Sequence, residues 1–343
     1  MIRPVWATCE GETKMKLNKT LVAVLGALAI FASVQPREAH AAEVLKFGTL
    51  APKQSIWGSV FQVWEKAVAK KSGDKLQLLF DYNGQQGDEG SMAGKIKAGQ
   101  LDGAAVTAVG LSKFYKPVVA MQMPGVLTDW GKVDKALGAV GGEFSKGLSD
   151  AGVKNLGWGF VGLAHLFTKG AKVTTPSQFK GRKPYMWRDD TISPMFYQVI
   201  GVTPVPLNVP EVLPNLKTGV VDTLVAPALA VDQLQWGGHL DHVAEQVSGA
   251  AIGAIIMSNK RLDSLPGDLK TIVVDTGAVA AKALTEKIKA EDAAAYDRMS
   301  KKMTVFKTDD AAFKKVFADT RSRLSQGTFT PELVKKLEAA GGL

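Results

Sequence analysis

Apolar and polar positions alternate from Val44 to Leu50, the period-two pattern of a strand with one buried face. Pro52 to Ser55 breaks that pattern, and Ser55 stands where an N-cap hydroxyl would start a helix. From Ile56 to Lys70 the period changes. Ile56, Val60, Val63 and Trp64 recur at three- and four-residue spacing, which predicts an amphipathic helix with Trp64 on its core stripe. Lys75 to Tyr82 reads as a second strand. Asn83-Gly84 then turns the chain into a helix that starts near Asp88 and stops at Gly99. Leu101 to Val109 is apolar almost throughout, as in a strand covered on both faces. The order β-α-β-α-β predicts an α/β domain with mostly parallel strands.

A second unit repeats the rhythm. Gly159-Phe160-Val161-Gly162 to Phe167 opens it. Phe179 to Trp187 reads as a strand, Asp190 to Ile200 as a helix, Val202 to Leu207 as a strand, Pro210 to Leu216 as a helix and Val220 to Val225 as a strand. Thr276 to Met303 has no proline and many alanines. It predicts one long helix with Ala278, Ala281, Leu284 and Ile288 as its apolar stripe.

The N-terminus follows another logic. Lys16 and Lys19 precede an uncharged apolar run from Leu21 to Val34, and Ala39-His40-Ala41 follows. A basic segment, an apolar core and an A-x-A site make a secretory signal peptide, residues 1–41, with translation starting at Met15 and the mature chain at Ala42. The apolar run is short for a membrane span. The one cysteine, Cys9, precedes the cut, so the mature chain has no disulfide and no thiolate metal site. The remaining 302 residues (343 less 41) can bury one or two sizeable cores. The net charge of +9 falls to +7 once five Lys/Arg and three Asp/Glu of residues 1–41 are removed. The lysines are spread along helices, which speaks for solvated faces and against a nucleic-acid footprint.

The stretch Phe179-Lys180-Gly181-Arg182-Lys183-Pro184-Tyr185-Met186-Trp187-Arg188, then Gly201-Val202-Thr203-Pro204-Val205-Pro206-Leu207, then Leu216-Lys217-Thr218-Gly219-Val220-Val221-Asp222 and Pro227, resembles the middle of the DctP-type solute-binding proteins of tripartite ATP-independent periplasmic (TRAP) transporters. Fragments in the same order run along nearly the whole mature chain. They are Lys46 to Pro52 with Trp57, Tyr82 to Glu89, Ile96 to Gly103, Met123 to Leu127, and Met257 to Lys260 through Leu265-Pro266. The resemblance implies a two-lobed α/β clamp with a long C-terminal helix packed along both lobes. It places lobe I at 42–162 plus about 249–275, and lobe II at 163–248 plus about 276–343. It also implies a periplasmic monomer that hands a small organic solute to TRAP membrane permease subunits.

Two positions depart from the family pattern. The arginine that grips a ligand carboxylate in the family falls on Tyr185, and the family's asparagine falls on Ala226. A guanidinium suits that bidentate contact and a phenol does not. Strand alternation puts Lys183, Tyr185 and Trp187 on one face, with Arg182 and Arg188 on the other. Arg188 reaches the cleft only if the strand stops at Trp187 and the chain turns at Asp189-Asp190. Otherwise Arg182 and Arg188 are solvated charges paired with Asp189 or Asp190. The candidate lining is aromatic and apolar: Trp57, Tyr82, Trp158, Phe160, Tyr185, Met186, Trp187, Pro227 and Trp236, with Gln54, Asn83 and Asn208 as polar anchors.

No Gly-x-Ser-x-Gly elbow or phosphate loop is present, and no Gly-x-Gly-x-x-Gly follows a strand. His239, Asp241 and His242 carry ligand types, but Gly237-Gly238 before them and Val243 after them read as a turn into a strand, where the histidines face opposite ways. The sequence therefore predicts a receptor without catalysis, cofactor or metal, for an apolar or aromatic solute. A carboxylate receptor using Arg188, and a lipid-like carrier that works without a permease, remain the alternatives.

Overall fold

The computed structural model describes residues 42–343. The expected signal peptide, Met15 and Cys9 lie outside the described residues. Strand β1 (Glu43–Thr49) lies between β2 (Leu76–Asp81) and β3 (Gly103–Thr107), parallel to both. Helices α1 (Ile56–Ser72), α2 (Glu89–Lys97), α3 (Ala108–Leu111) and α4 (Trp130–Asp150) complete this lobe. α1 begins where Ser55 Oγ accepts from Gly58 N at 3.1 Å, and it ends at Gly73 in the left-handed conformation. Its inward stripe buries Trp57, Phe61, Trp64 and Val68. Phe61 stacks on Phe80 at 4.7 Å, and Trp64 meets Phe47 edge-on at 5.4 Å. Truncating a ring so placed costs about 3–5 kcal/mol.

The chain leaves this lobe along β4 (Val153–Thr168) and returns along β8 (His242–Ser258). The two run antiparallel along nearly their whole length, with four register breaks between Asn155 and Phe167. The near end of β8 pairs with β3, and the far end of β4 pairs with β7 (Thr223–Pro227). β9 (Thr304–Phe306) joins β8 beyond it. The sheet order is thus β2-β1-β3-β8-β4-β7, with β9 off this path. The expected mostly parallel pairing holds for β1 to β3 and gives way to antiparallel pairing where the chain crosses between lobes.

The second lobe adds a two-stranded parallel sheet, β5 (Tyr185–Trp187) with β6 (Val205–Leu207), and helices α5 (Ser193–Ile200), α6 (Val209–Thr218) and α7 (Ala228–Gln233). The strand expected from Phe179 is only Tyr185–Trp187. Phe179 closes a 3₁₀ turn and is buried with Phe196, Phe313 and Phe317, and Gly181 adopts φ +82°. After the short α8 (Asn259–Asp263) comes α9 (Gly267–Ser300), the expected long helix, which starts nine residues earlier than its alanine-rich part suggests. α9 runs from one lobe to the other. Trp64 Nε1 donates to Thr276 Oγ1 at 2.9 Å, Gly157 lies against Ala281, and Arg298 pairs with Asp232 at 2.8 Å. Helices α10 (Asp310–Leu324) and α11 (Pro331–Gly341) close the chain. The expected lobe limits at 162/163 and 248/249 fall inside β4 and β8, which belong to both lobes.

Candidate functional site

A cavity of about 330 Å³ lies between the lobes. Strand ends build it. β1 brings Thr49, β3 brings Thr107, the crossing strands bring Phe160 and Ala250, β5 brings Tyr185 and Trp187, and β7 brings Ala226 and Pro227. Trp57 and Trp236 complete the aromatic wall. Trp57 is anchored by its own Nε1, which donates to Phe160 O at 3.3 Å. Tyr185 and Trp236 meet edge to face at 6.0 Å and 69°. Their rings thereby form a corner.

Carboxylates sit behind this wall. Glu89, the first residue of α2, is 2% exposed. It accepts from Thr107 N, Thr107 Oγ1 and Gly110 N, each at 2.8 Å. Burial pushes its carboxyl up to about 7, against the pull of those hydrogen bonds. Asp190 accepts from Ile192 N at 2.7 Å and from Ser193, and burial raises its carboxyl as well. Asp88 caps α2 by accepting from Glu89 N at 2.8 Å. Its other oxygen accepts from Trp187 Nε1 at 2.9 Å and Val209 N at 3.3 Å, across the cleft. Lys113 and Asp189 make a second cross-cleft link at 3.3 Å. Among the described residues, no Lys, Arg or His lines the cavity. The Tyr185 hydroxyl is buried there without a hydrogen-bond partner, while Tyr197 Oη donates to the Tyr185 carbonyl at 3.1 Å.

Of the ten residues expected to bind, Tyr185, Trp187, Trp57, Phe160, Pro227 and Trp236 line the cavity, as does Met186. Four do not. Arg188 points outward, its side chain 53% exposed and paired with Glu211 at 3.3 Å, so the turn after Trp187 carries it away from the cleft. Tyr82 packs on Phe80 in the core of the first lobe. Trp158 lies on the outer side of β4 against Gly141 of α4. Gln54 is exposed in the turn before α1. Asn83 adopts φ +56° in a turn and Asn208 caps α6, and neither is in the cavity lining. Arg182 pairs with Asp222 rather than with Asp189 or Asp190. Asp190 does cap the approach to α5. The sequence reading missed Glu89, Thr107, Phe61, Phe196, Tyr197 and Gln246, all in the lining. Glu89 was within reach, since it stands beside the Asp88 helix start. Among the described residues, no group of acids, histidines or cysteines is arranged to hold a metal ion, and His239 lies in a 3₁₀ turn.

Two α/β lobes, two shared crossing strands, a helix spanning both and a cavity between them define a solute-binding receptor of the clamp type. The chain belongs to the DctP family, the bacterial extracellular solute-binding proteins of family 7, which it matches over residues 47–327. A solute-binding protein of Sulfitobacter sp. (strain NAS-14.1) is 24% identical over 266 residues, 76% of this chain and 79% of that one. The crystal structure of a TRAP periplasmic solute-binding protein from Sulfurospirillum deleyianum with bound succinate superposes with a TM-score of 0.81 at 19% identity, covering 88% of this chain and 100% of that one. Another, from Polaromonas sp. bound to D-erythronate, gives 0.79 at 21% identity, covering 87% and 98%. At such identities the agreement concerns the fold. Among the described residues, no helix is long and apolar enough to cross a membrane.

Proposed function

We propose that this protein is the periplasmic receptor of a TRAP-type importer and captures a small organic solute with an apolar or aromatic body. One observation carries the reading. Tyr185, which the motif resemblance sets at the family's arginine position, is 8% exposed in the cavity wall, and among the described residues the lining holds no cationic side chain. A carboxylate brought into such a chamber loses its hydration and meets carboxylates in place of a guanidinium. Ala226, where the family has asparagine, offers no amide donor. Aromatic faces at Trp57, Trp187 and Trp236 suit a flat or apolar body. Delivery to membrane permease subunits follows from the family. Capture then means lobe closure, favoured by contacts that exist only when the lobes meet, such as Asp88 with Trp187.

The test has two parts. Small molecules that co-purify with the protein are released by denaturation and identified by mass spectrometry; an apolar or aromatic solute is expected. Succinate and D-erythronate, the ligands of the structural relatives, are added at millimolar concentration and should leave the melting temperature unchanged. Tight binding of either acid would make this an organic-acid receptor that grips its ligand through neutral donors.

A further inference from the structure

The cavity wall carries carboxyl groups that no cationic side chain among the described residues meets. Glu89 and Asp190 line the chamber and Asp88 stands directly behind Trp187. Each of the three is held by neutral donors only, backbone N–H groups, hydroxyls and an indole. The nearest ion pair, Lys113 with Asp189, is taken up between its own partners. A buried carboxylate without a counter-ion is costly, so it takes up a proton or meets a positive charge, and a ligand can bring that charge.

A second observation is independent of those acids. The Tyr185 hydroxyl is buried at the same wall and has no partner among the described residues. Burial first, then the charges of Asp88, Asp190 and Glu89, raise its pKa, so it stays a neutral phenol with oxygen lone pairs unused. Its ring forms the edge-to-face corner with Trp236. Two aromatic faces meeting at a steep angle, backed by carboxylates, are the surroundings that favour an organic cation over a neutral group of the same shape.

We propose that the solute is a protonated amine on an apolar or aromatic body. Its ammonium donates to the Tyr185 oxygen and faces the carboxylates of Glu89 and Asp190, and its body lies against Trp57, Trp187 and Trp236. This deepens the reading given above and rests on it, because it needs a ligand in this cavity that is not gripped by a guanidinium. An ammonium supplies N–H donors, which the phenol oxygen can accept. A carboxylate at the same place meets like charge.

Three probes with one ring and closely similar length separate the possibilities: 2-phenylethylamine, 2-phenylethanol and phenylacetate. Calorimetric titration of the full mature protein should show the amine binding about tenfold or more tightly than the alcohol, with phenylacetate undetected. Glu89→Gln keeps an acceptor oxygen for one of the two backbone donors, Thr107 N on one carboxylate oxygen or Gly110 N on the other, and presents its amide to the second. It should weaken amine binding about tenfold while leaving the alcohol unchanged. Tyr185→Phe keeps the ring, so it folds even if the glutamine variant does not, and it should weaken the amine several-fold more than the alcohol. If the alcohol binds as well as the amine, the cationic proposal is overturned and the apolar reading stands. If phenylacetate binds best, both are overturned. If the amine shows no heat at millimolar concentration, or binds equally well to wild type, Glu89→Gln and Tyr185→Phe, the proposal fails.

Discussion

The crossing strands carry a buried carboxylate on each side, and the two sites are built differently. On the cleft side, Glu89 takes its donors from Thr107 and Gly110, all within one stretch of the first lobe. On the other side, Asp292 of α9 accepts from Leu163 N at 2.7 Å and Leu229 N at 3.0 Å. One of those donors is on β4 and the other at the start of α7. Asp292 therefore ties the long helix to the crossing strand and to the second lobe at once. Gly162 makes room for it. At φ +147° this glycine holds a conformation that side chains avoid, and a Cβ there would stand 2.4 Å from Asp292 Oδ1. His165 and Tyr296 stack beside it at 4.4 Å around a cavity of about 200 Å³. The difference teaches which acid is architecture. Asp292 joins parts distant in sequence and no unpaired polar atom accompanies it. Glu89 adds no link between lobes, and an unpartnered phenol lies in the same wall.

The comparison breaks most sharply at Asp292. Asp292→Ala leaves two buried N–H groups without an acceptor, and each such group costs about 1–3 kcal/mol. We expect a loss of about 3–4 kcal/mol in unfolding free energy, measured by urea denaturation on the acid side, where Asp292 is protonated. The loss shrinks as pH rises from about 3.8 to about 6 and is level above that, because the folded protein holds Asp292 protonated against the desolvation cost of its charged form over that window. Asp292→Asn, which keeps an acceptor, should lose less. If Asp292→Ala is as stable as wild type at every pH, the back site is not a joint.

The pH dependence of stability sharpens the same contrast. Glu89 titrates at about 7 in the fold and near 4.5 when unfolded. Between those values the folded protein holds a proton that the unfolded chain has released, so stability falls as pH rises and levels off above 7. Asp292, about 6 in the fold against 3.8, adds a fall of the same sign over a lower window. His165 opposes them. Burial lowers it to about 4 from 6.5, so its contribution is present above 6.5 and is lost as pH falls through that window. Between about 4.5 and 6 the falls from Glu89 and Asp292 outweigh the rise from His165 and leave a net decline the size of Glu89's own. From about 6 to 6.5 Glu89 and His165 offset one another, and above 6.5 only Glu89 is left, with Asp88 as its charged neighbour. Urea denaturation should show a decline of a few kcal/mol from pH 4.5 to 7 that disappears in Glu89→Gln, where Asp292 and His165 are left to offset one another. A decline unchanged in that variant would mean that Glu89 is already ionised at lower pH.

Next in size is the link across the cleft. Trp187→Phe retains a ring but removes the N–H that Asp88 accepts at 2.9 Å. We expect affinity for the 2-phenylethylamine probe to weaken by about 1–2 kcal/mol, with the melting temperature nearly unchanged, because Trp187 is only partly buried. A fall in melting temperature without a change in affinity would assign Trp187 to the core of the second lobe.

Much of this was readable from pattern. The strand β1, helix α1 and the long helix follow from residue spacing, although the stripes hold only in part: Val60 and Trp64 of α1 are buried while Val63 is 64% exposed, and Ala281, Leu284 and Ile288 of the long helix are buried while Ala278 is exposed. Tyr185 was found by its place in the motif resemblance and Trp187 by sharing its strand face, and both line the cavity. The acids were not readable. Glu89 is defined by donors 18 and 21 residues away, and Asp292 by donors 129 and 63 residues away. No local periodicity records such pairings. β8 was read only as a strand beginning near Val243. Its middle, Ser248 to Gly253, is small residues whose burial comes from the partner strands β3 and β4 and not from its own alternation. Arg188 was left open between cleft and solvent because a single turn decides it, and Glu211, its partner, is 23 residues on.

The smallest expected effect is the one that separates the two carboxylate-free readings from an ordinary acid receptor. Arg188 is half exposed and its one acidic partner, Glu211, is 44% exposed. An ion pair so placed is screened by water and salt and contributes about 0–1 kcal/mol. Arg188→Ala should therefore change neither unfolding free energy nor probe affinity by more than about 0.5 kcal/mol. Glu211 keeps a second role, accepting from Asn208 N at 2.6 Å to cap α6, so the helix start survives the substitution. Thermal shift with succinate before and after the change completes the test. If wild type binds the acid and Arg188→Ala abolishes that binding while Tyr185→Phe leaves it intact, the segment after Trp187 swings inward in the liganded protein. Arg188 then does the work that the family assigns to its arginine, and the charge of the chamber is set by that side chain and not by Glu89.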